Sequence, residues 1–182
     1  MVNNYIKNYI DKFSLLLKDN KNLSKKIELT TKALKKTYKK NKIIIFGNGG
    51  SSSIASHFTI DIIKNTKLEC INFNDPAIIT CFSNDYGYEK WITKALKIYS
   101  KKSDVLILIS SSGNSKNMIN AANFAKKNKL KLITLTGFKK DNKLNGRGKI
   151  NFWVDSLNYN HIENIHQIIL LTICDNISKK KF

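Results

Sequence analysis

The chain has 182 residues, 42% of them hydrophobic, and its 32 Lys and Arg against 13 Asp and Glu give a formal net charge of +19 at pH 7. That length and apolar share support one globular domain with a full core, and no segment reaches the roughly 20 unbroken apolar residues of a membrane-spanning helix. The lysines are spread over nearly every helical stretch, without the aromatic interleaving or arginine clustering of a nucleic-acid site, so a solvated basic surface is expected whose field favours the approach of sugar phosphates.

At the start, Met1-Val2-Asn3-Asn4-Tyr5 shows no charged-then-apolar leader pattern, and a cytoplasmic setting is expected. Residues 4–18 place Tyr5, Ile6, Tyr9, Ile10, Phe13, Leu16 and Leu17 at helical spacing, and residues 22–40 continue with Leu23, Ile27, Thr30, Ala33, Leu34 and Tyr38. Two amphipathic helices are predicted, with 1–40 a helical extension of a single domain spanning 1–182. The first helix has an apolar stripe that can cover its own domain or meet another subunit.

The run Lys42-Ile43-Ile44-Ile45-Phe46 then breaks into Gly47-Asn48-Gly49-Gly50-Ser51-Ser52-Ser53 and re-enters a helical pattern. The β-branched residues favour a buried strand, the glycines a tight loop, and the serines are expected to cap a helix whose free N–H groups attract an anion. That helix, Ile54 to Lys64, carries His57 and Asp61 on one face, close to the loop. Leu68 to Phe73 reads as a second strand, Pro76 starts a helix through Phe82, and Asn84-Asp85-Tyr86-Gly87-Tyr88 reads as a polar turn.

The strand-loop-helix pattern recurs where Asp104-Val105-Leu106-Ile107-Leu108-Ile109 opens into Ser110-Ser111-Ser112-Gly113-Asn114-Ser115, ahead of a helix from Asn117 to Lys127. Hydroxyls and helix-terminal amides can surround a phosphate with no arginine, so two such loops point to one phosphorylated ligand held between them. Lys131 to Thr136 is a fourth strand closed by Gly137, Phe138 to Gly148 reads as a mobile surface loop, and Lys149 to Val154 is a fifth strand. Asn160 is the expected cap of a last helix, His161 to Ile177, before the basic tail Lys179-Lys180-Lys181-Phe182.

Alternating strands and helices imply an α/β fold: a doubly wound, five-stranded parallel sheet in the flavodoxin-like order 2-1-3-4-5, an αβα sandwich with N-terminal helices. In that order strands 1 and 3 are neighbours where the winding reverses, and both serine-rich loops sit beyond their C-terminal ends. The first loop partly resembles a dinucleotide fingerprint, with Asp75 as a ribose ligand, but the third glycine is missing, and no Gly-Lys-Ser/Thr of a nucleoside-triphosphate loop is present. Neither a Gly-x-Ser-x-Gly elbow nor a Ser-His-Asp set is evident. Cys70, Cys81 and Cys174 lack metal-ligand spacing and are expected to be reduced and mostly buried.

Taken together, Gly47-Asn48-Gly49-Gly50-Ser51, His57-Phe58, Asn84-Asp85-Tyr86-Gly87, Ser110 to Ser115 and Leu135-Thr136-Gly137 resemble, in order and spacing, the sugar isomerase (SIS) domain family, within it the phosphoheptose isomerases. The resemblance implies a tetramer with active sites at subunit interfaces. It also implies conversion of sedoheptulose 7-phosphate to the aldose heptose 7-phosphate used in surface polysaccharide such as lipopolysaccharide. Carried over by position, Asn48, Gly49, Gly50, Ser51, Asn84, Asp85, Ser110, Ser111, Ser112 and Ser115 bind substrate, and His57 matches a zinc ligand of metal-containing members. Three positions depart from the family. Asp61 stands for a catalytic glutamate, Glu163 for a glutamine, and Leu171 for the catalytic histidine, while His166 matches a non-catalytic histidine that points roughly 140° away from position 171. Proton transfer is therefore expected from Asp61 assisted by Glu163, and His57, Asp61 and Glu163 form a candidate divalent-metal set, zinc being the metal implied. The alternative is a non-catalytic SIS module that binds a sugar phosphate or a protein partner, as family relatives do with the bacterial replication initiator protein.

Overall fold

The computed structural model describes residues 4–18 and 22–179, so the leader reading at residues 1–3 and the tail at 180–182 lie outside it. The elements run α1 (Asn4–Lys18), α2 (Leu23–Lys35), β1 (Ile43–Phe46), α3 (Gly50–Asn65), β2 (Cys70–Ile71), α4 (Pro76–Tyr86), α5 (Trp91–Tyr99), β3 (Val105–Ser110), α6 (Lys116–Lys127), β4 (Lys131–Thr136), β5 (Ile150–Trp153) and α7 (Tyr159–Ser178). The strands form one sheet in the order β2-β1-β3-β4-β5, and every pairing is parallel. The expected topology is the one found.

Both sheet faces are buried, as the unbroken apolar runs require. Ile43 and Ile45 of β1 join Val105, Ile107 and Ile109 of β3 in a core closed by Leu34, Phe58, Ile62, Ile165 and Ile169 from α2, α3 and α7. Ile44, Phe46, Leu106 and Leu108 face the other way, against Trp91, Ile92, Leu96, Met118 and Ala121 of α5 and α6. At the N-terminal end of the strands the carboxylate of Asp104, fully buried, accepts from Lys42 Nζ at 2.8 Å, Lys101 N at 2.9 Å, Lys42 N at 3.1 Å and Asn41 Nδ2 at 3.1 Å. This hub ties β1 to β3 at the end away from the two loops.

Several local readings are corrected. The segment after Gly87 contains α5, whose Trp91, Ile92, Ala95 and Leu96 are buried at helical spacing, and α4 runs through Tyr86, so Asn84 and Asp85 lie on a helix rather than in a turn. The second strand shrinks to Cys70–Ile71, because Asn72 Oδ1 takes the N–H of Asn74 and turns the chain out of the ladder. The second helix stops at Lys35, with turns to Lys40. Asn158, not Asn160, caps α7, its side chain accepting from His161 N at 3.1 Å. The 138–148 connection is not a loose surface loop, since Asn142 and Leu144 are buried within it. Asp75 caps α4, accepting from Ala77 N and Ile78 N, which gives it a local use and removes it as a ribose ligand. Cys70 and Cys174 are buried and Cys81 is exposed. Among the described residues no helix is long and apolar enough to cross a membrane.

Candidate functional site

The first loop does not work as the serines suggested. Gly49, at φ 54 and ψ −127, is the N-cap of α3 and makes no side-chain capping bond, so Ser51, Ser52 and Ser53 fall inside the first helical turn. Asn48 is held by long-range contacts. It donates to Asn117 Oδ1 at 3.1 Å, and its Oδ1 accepts from Asn117 Nδ2 at 2.9 Å and from Tyr88 Oη at 3.1 Å. Two amides bonded in both directions fix the loop against α6.

The second loop leaves β3 at Ser110, opposite Thr136 of β4, and enters α6 through Ser115 as N-cap, which makes no side-chain capping bond of its own. Ser110 Oγ lies 3.4 Å from Ser115 Oγ, and Ser112 Oγ accepts from Asn114 N at 3.2 Å. Ser111 Oγ is buried and has no hydrogen-bond partner among the described residues. A buried hydroxyl in that state costs on the order of 1–3 kcal/mol unless a ligand or water meets it.

Between the loops lies a cavity of about 280 Å³, lined by Asn48, Gly49, Gly50 and Ser51 from one side and Ile109, Ser110, Ser111, Ser112 and Ser115 from the other, with Tyr159 and Glu163 of α7 closing it. A second cavity, about 370 Å³, adjoins it through the shared Gly50 and Glu163 and is lined further by Ser53, Ile54, His57, Asn160, Asn164 and Gln167. Glu163 therefore stands at the seam, and burial pushes its carboxyl above the ordinary value.

His57 Nε2 lies 3.6 Å from Asp61 Oδ2, while its Nδ1 is 3.3 Å from Gln167 Nε2, an amide nitrogen that can only donate. With the Gln167 amide in this orientation, the matching His57 tautomer carries its proton on Nε2, on the side of Asp61. Asp61 itself lines neither cavity and reaches the site through His57. Leu171 is half-buried on α7, and His166 is fully buried, donating from Nε2 to Thr136 O at 3.1 Å. Burial holds its imidazole down at about 4 against that carbonyl's opposing effect, so His166 is a structural base rather than a replacement acid.

Two expected groupings do not assemble within this chain. His57, Asp61 and Glu163 do not gather as a metal set: among the described residues no three His, Cys, Asp or Glu side chains are placed to hold an ion. The reason is that His57 is engaged by Gln167 and Asp61 while Glu163 is turned over Gly50. Asn84 and Asp85 are exposed on α4, Asn84 Nδ2 donating to Asp85 Oδ1 at 3.1 Å, and they line neither cavity. Tyr88, Asn117, Gln167 and Asn160 are site neighbours that local patterning did not reveal.

The chain is similar to known proteins in both sequence and fold. Residues 8–137 match the SIS domain family. A phosphoheptose isomerase of Fusobacterium nucleatum is 33% identical over 187 residues, spanning 98% of this chain and 96% of its own, and one of Leptospira biflexa is 35% identical over 165 residues, spanning 86% and 84%. The solved structure of a phosphoheptose isomerase from Francisella tularensis superposes with a TM-score of 0.88 at 29% identity, covering 99% of this chain and 100% of that one. With the fold, the paired loops and relatives above 30% identity along nearly its whole length in agreement, the chain belongs to the SIS domain family, in its phosphoheptose isomerase branch.

Proposed function

We propose that this protein is an aldose-ketose phosphosugar isomerase that converts sedoheptulose 7-phosphate to the corresponding aldose heptose 7-phosphate, for surface polysaccharide synthesis in the cytoplasm. The observation that carries the reading is the hydroxyl-lined cavity, free of Lys and Arg, with a buried Ser111 hydroxyl unmatched among the described residues, joined at Glu163 to a second cavity that carries His57. The phosphate sits on Ser110, Ser111, Ser112, Ser115 and the first amides of α6. The sugar runs along Gly49, Gly50 and Ser51, with Asn48 on its hydroxyls, and its C1 and C2 lie near Glu163.

Isomerisation moves a proton between C1 and C2 through an enediolate while another proton is managed at the two oxygens. In this reading Glu163, whose carboxyl is raised by burial and which lines both cavities, exchanges the carbon-bound proton. Asp61 orients His57, whose ring borders the second cavity, so the proton transfer assigned to Asp61 and Glu163 divides into a positioning role and a direct one.

The assembly belongs to the same proposal. Ile6, Ile10 and Leu15 of α1 and Ile60 and Ile63 of α3 are exposed apolar side chains, and a homotetramer would cover such faces. Asn84 and Asp85 enter this reading through the assembly, contacting substrate where copies of the chain meet. Light scattering at micromolar concentration should give four copies, and a monomer would refute the assembly.

The deciding experiment is NMR of the purified protein with sedoheptulose 7-phosphate in deuterated water, with and without chelator. Aldose product and deuterium at C1 or C2 are expected. Glu163→Gln should lower exchange by about 10²-fold or more and Asp61→Asn by less, since the latter acts through His57. Absence of exchange with any ketose phosphate would overturn the isomerase reading.

A further inference from the structure

The connection between β4 and β5 is anchored by one buried amide. Asn142 is only 6% exposed. Its Nδ2 donates to Lys139 O at 2.8 Å and Gly137 O at 3.2 Å, and its Oδ1 accepts from Asn145 N at 2.9 Å and Leu144 N at 3.3 Å. Both N–H groups and both lone pairs are used, which leaves the side chain one orientation.

That orientation aims it at the serine loop. Gly113 adopts φ +64, and a Cβ built on it would lie 1.8 Å from Asn142 Oδ1 and 2.2 Å from its Cγ, so the glycine backbone lies flat against the amide. Backbone bonds run alongside: Leu144 N donates to Gly113 O at 2.9 Å, Lys143 N to Asn114 Oδ1 at 3.2 Å, and Gly137 N to Ser111 O at 2.9 Å. Leu144, fully buried, pins the connection to the core on the α5–α6 face. The connection thus grips the Ser110–Ser115 turn from outside, and none of its residues lines either cavity.

We propose that Asn142 is a positioning residue for phosphate recognition. It fixes the left-handed turn at Gly113 so that the Ser110, Ser111, Ser112 and Ser115 hydroxyls and the α6 amides converge on one anion. The physical reason is the absence of any Lys or Arg in the lining of the cradle. A cradle without a cation has no side-chain Coulomb attraction for an anion, and hydrogen bonds weaken steeply with distance and angle, so its affinity depends on donors being held in register. This inference rests on the serine loop being the phosphate site.

The test uses the full chain, Asn142→Ala and Asn142→Ser. The serine variant keeps a short acceptor for the N–H groups of the 142–145 turn while withdrawing the amide from Gly113. Circular dichroism checks the fold, calorimetry reads binding of sedoheptulose 7-phosphate and of inorganic phosphate, and steady-state kinetics separates KM from kcat. Both ligands should bind about tenfold more weakly to the variants, with KM rising by a similar factor and kcat within about twofold, because Glu163 and His57 sit on other elements. Unchanged affinity in a folded variant overturns the inference and leaves the serine loop as the site, as does a fall in kcat at constant KM. If Asn142→Ala does not fold, Asn142→Ser decides; if neither folds, Asn142 is a structural strut and the inference fails. A native protein that binds neither ligand refutes the loop reading itself.

Discussion

Gly50 lies directly beneath the carboxylate of Glu163: a Cβ built on the glycine would come within 2.2 Å of Oε2 and 2.7 Å of Cδ. No other side chain fits there without moving Glu163, and Glu163 marks the seam between the two cavities. The pair links the first loop of the sheet to the last helix of the chain.

Gly50→Ala should therefore act on chemistry more than on folding. The obstructing atoms are the far end of a flexible side chain, so the fold survives while the carboxylate is displaced by an ångström or more. Such a misplacement costs on the order of 10²-fold in rate. Deuterium exchange should fall by about that factor with the melting temperature nearly unchanged; equal exchange in the variant would remove Glu163 from the reacting atoms.

Changing Ser110 and Ser112 to alanine together should weaken sugar-phosphate binding. Each lost hydroxyl contact is worth on the order of 1 kcal/mol, so the double variant should bind roughly 10- to 30-fold less tightly. Calorimetry on the folded double variant gives the answer, and wild-type affinity would place the phosphate elsewhere.

The Asp104 hub should matter for stability alone. Asp104→Ala strands Lys42, the Lys42 and Lys101 N–H groups and the Asn41 amide, and removing one partner of a buried pair costs about 3–5 kcal/mol. Urea unfolding should show an unfolding free energy lower by that order while sugar-phosphate affinity in the folded fraction stays the same. Burial alone would raise the Asp104 carboxyl, but the bonds from Lys42, Lys101 and Asn41 outweigh it and hold it below the ordinary value.

Acid sensitivity follows from His166. Its folded value of about 4 lies below the ordinary 6.5, so between those pH values the unfolded chain binds a proton that the folded chain refuses. Stability is thus full above about pH 6.5 and declines as pH falls toward 4, by about 3 kcal/mol over the window. Below that, the depressed Asp104 contributes a further loss with the same sign as it is forced to protonate. His166→Leu should flatten the decline between pH 6.5 and 4.5 in thermal melts, since Thr136 O keeps a second donor in Val154 N. An unchanged slope would mean that another group controls the acid limb.

The frame was legible because its signals are local. Apolar runs at Ile43–Phe46 and Val105–Ile109, each followed by a Gly/Ser loop and a helical pattern, dictate strand-loop-helix units whatever lies elsewhere. Helix α5 carries a local signal too, in Trp91, Ile92, Ala95 and Leu96 at helical spacing, just after the polar run 84–88 that reads as a turn. The site's supports were not legible. Asn48 meets Asn117 across 69 residues of chain and Gln167 meets His57 across 110, and an isolated Asn or Gln carries no mark of its distant partner. Asn142 illustrates the opposite trap, because a stretch of Lys, Asn and Gly reads as solvated when one of its amides is in fact buried and saturated.

The Asp104 hub has a further consequence, for how such a chain can change over evolutionary time. It clamps β1 to β3 from the end opposite the loops, so the spacing of the two strands that frame the cavity does not depend on any residue in the cavity. Side chains at the ligand end are then free to drift, individually and without collapse of the frame, toward another sugar or another proton-transfer scheme.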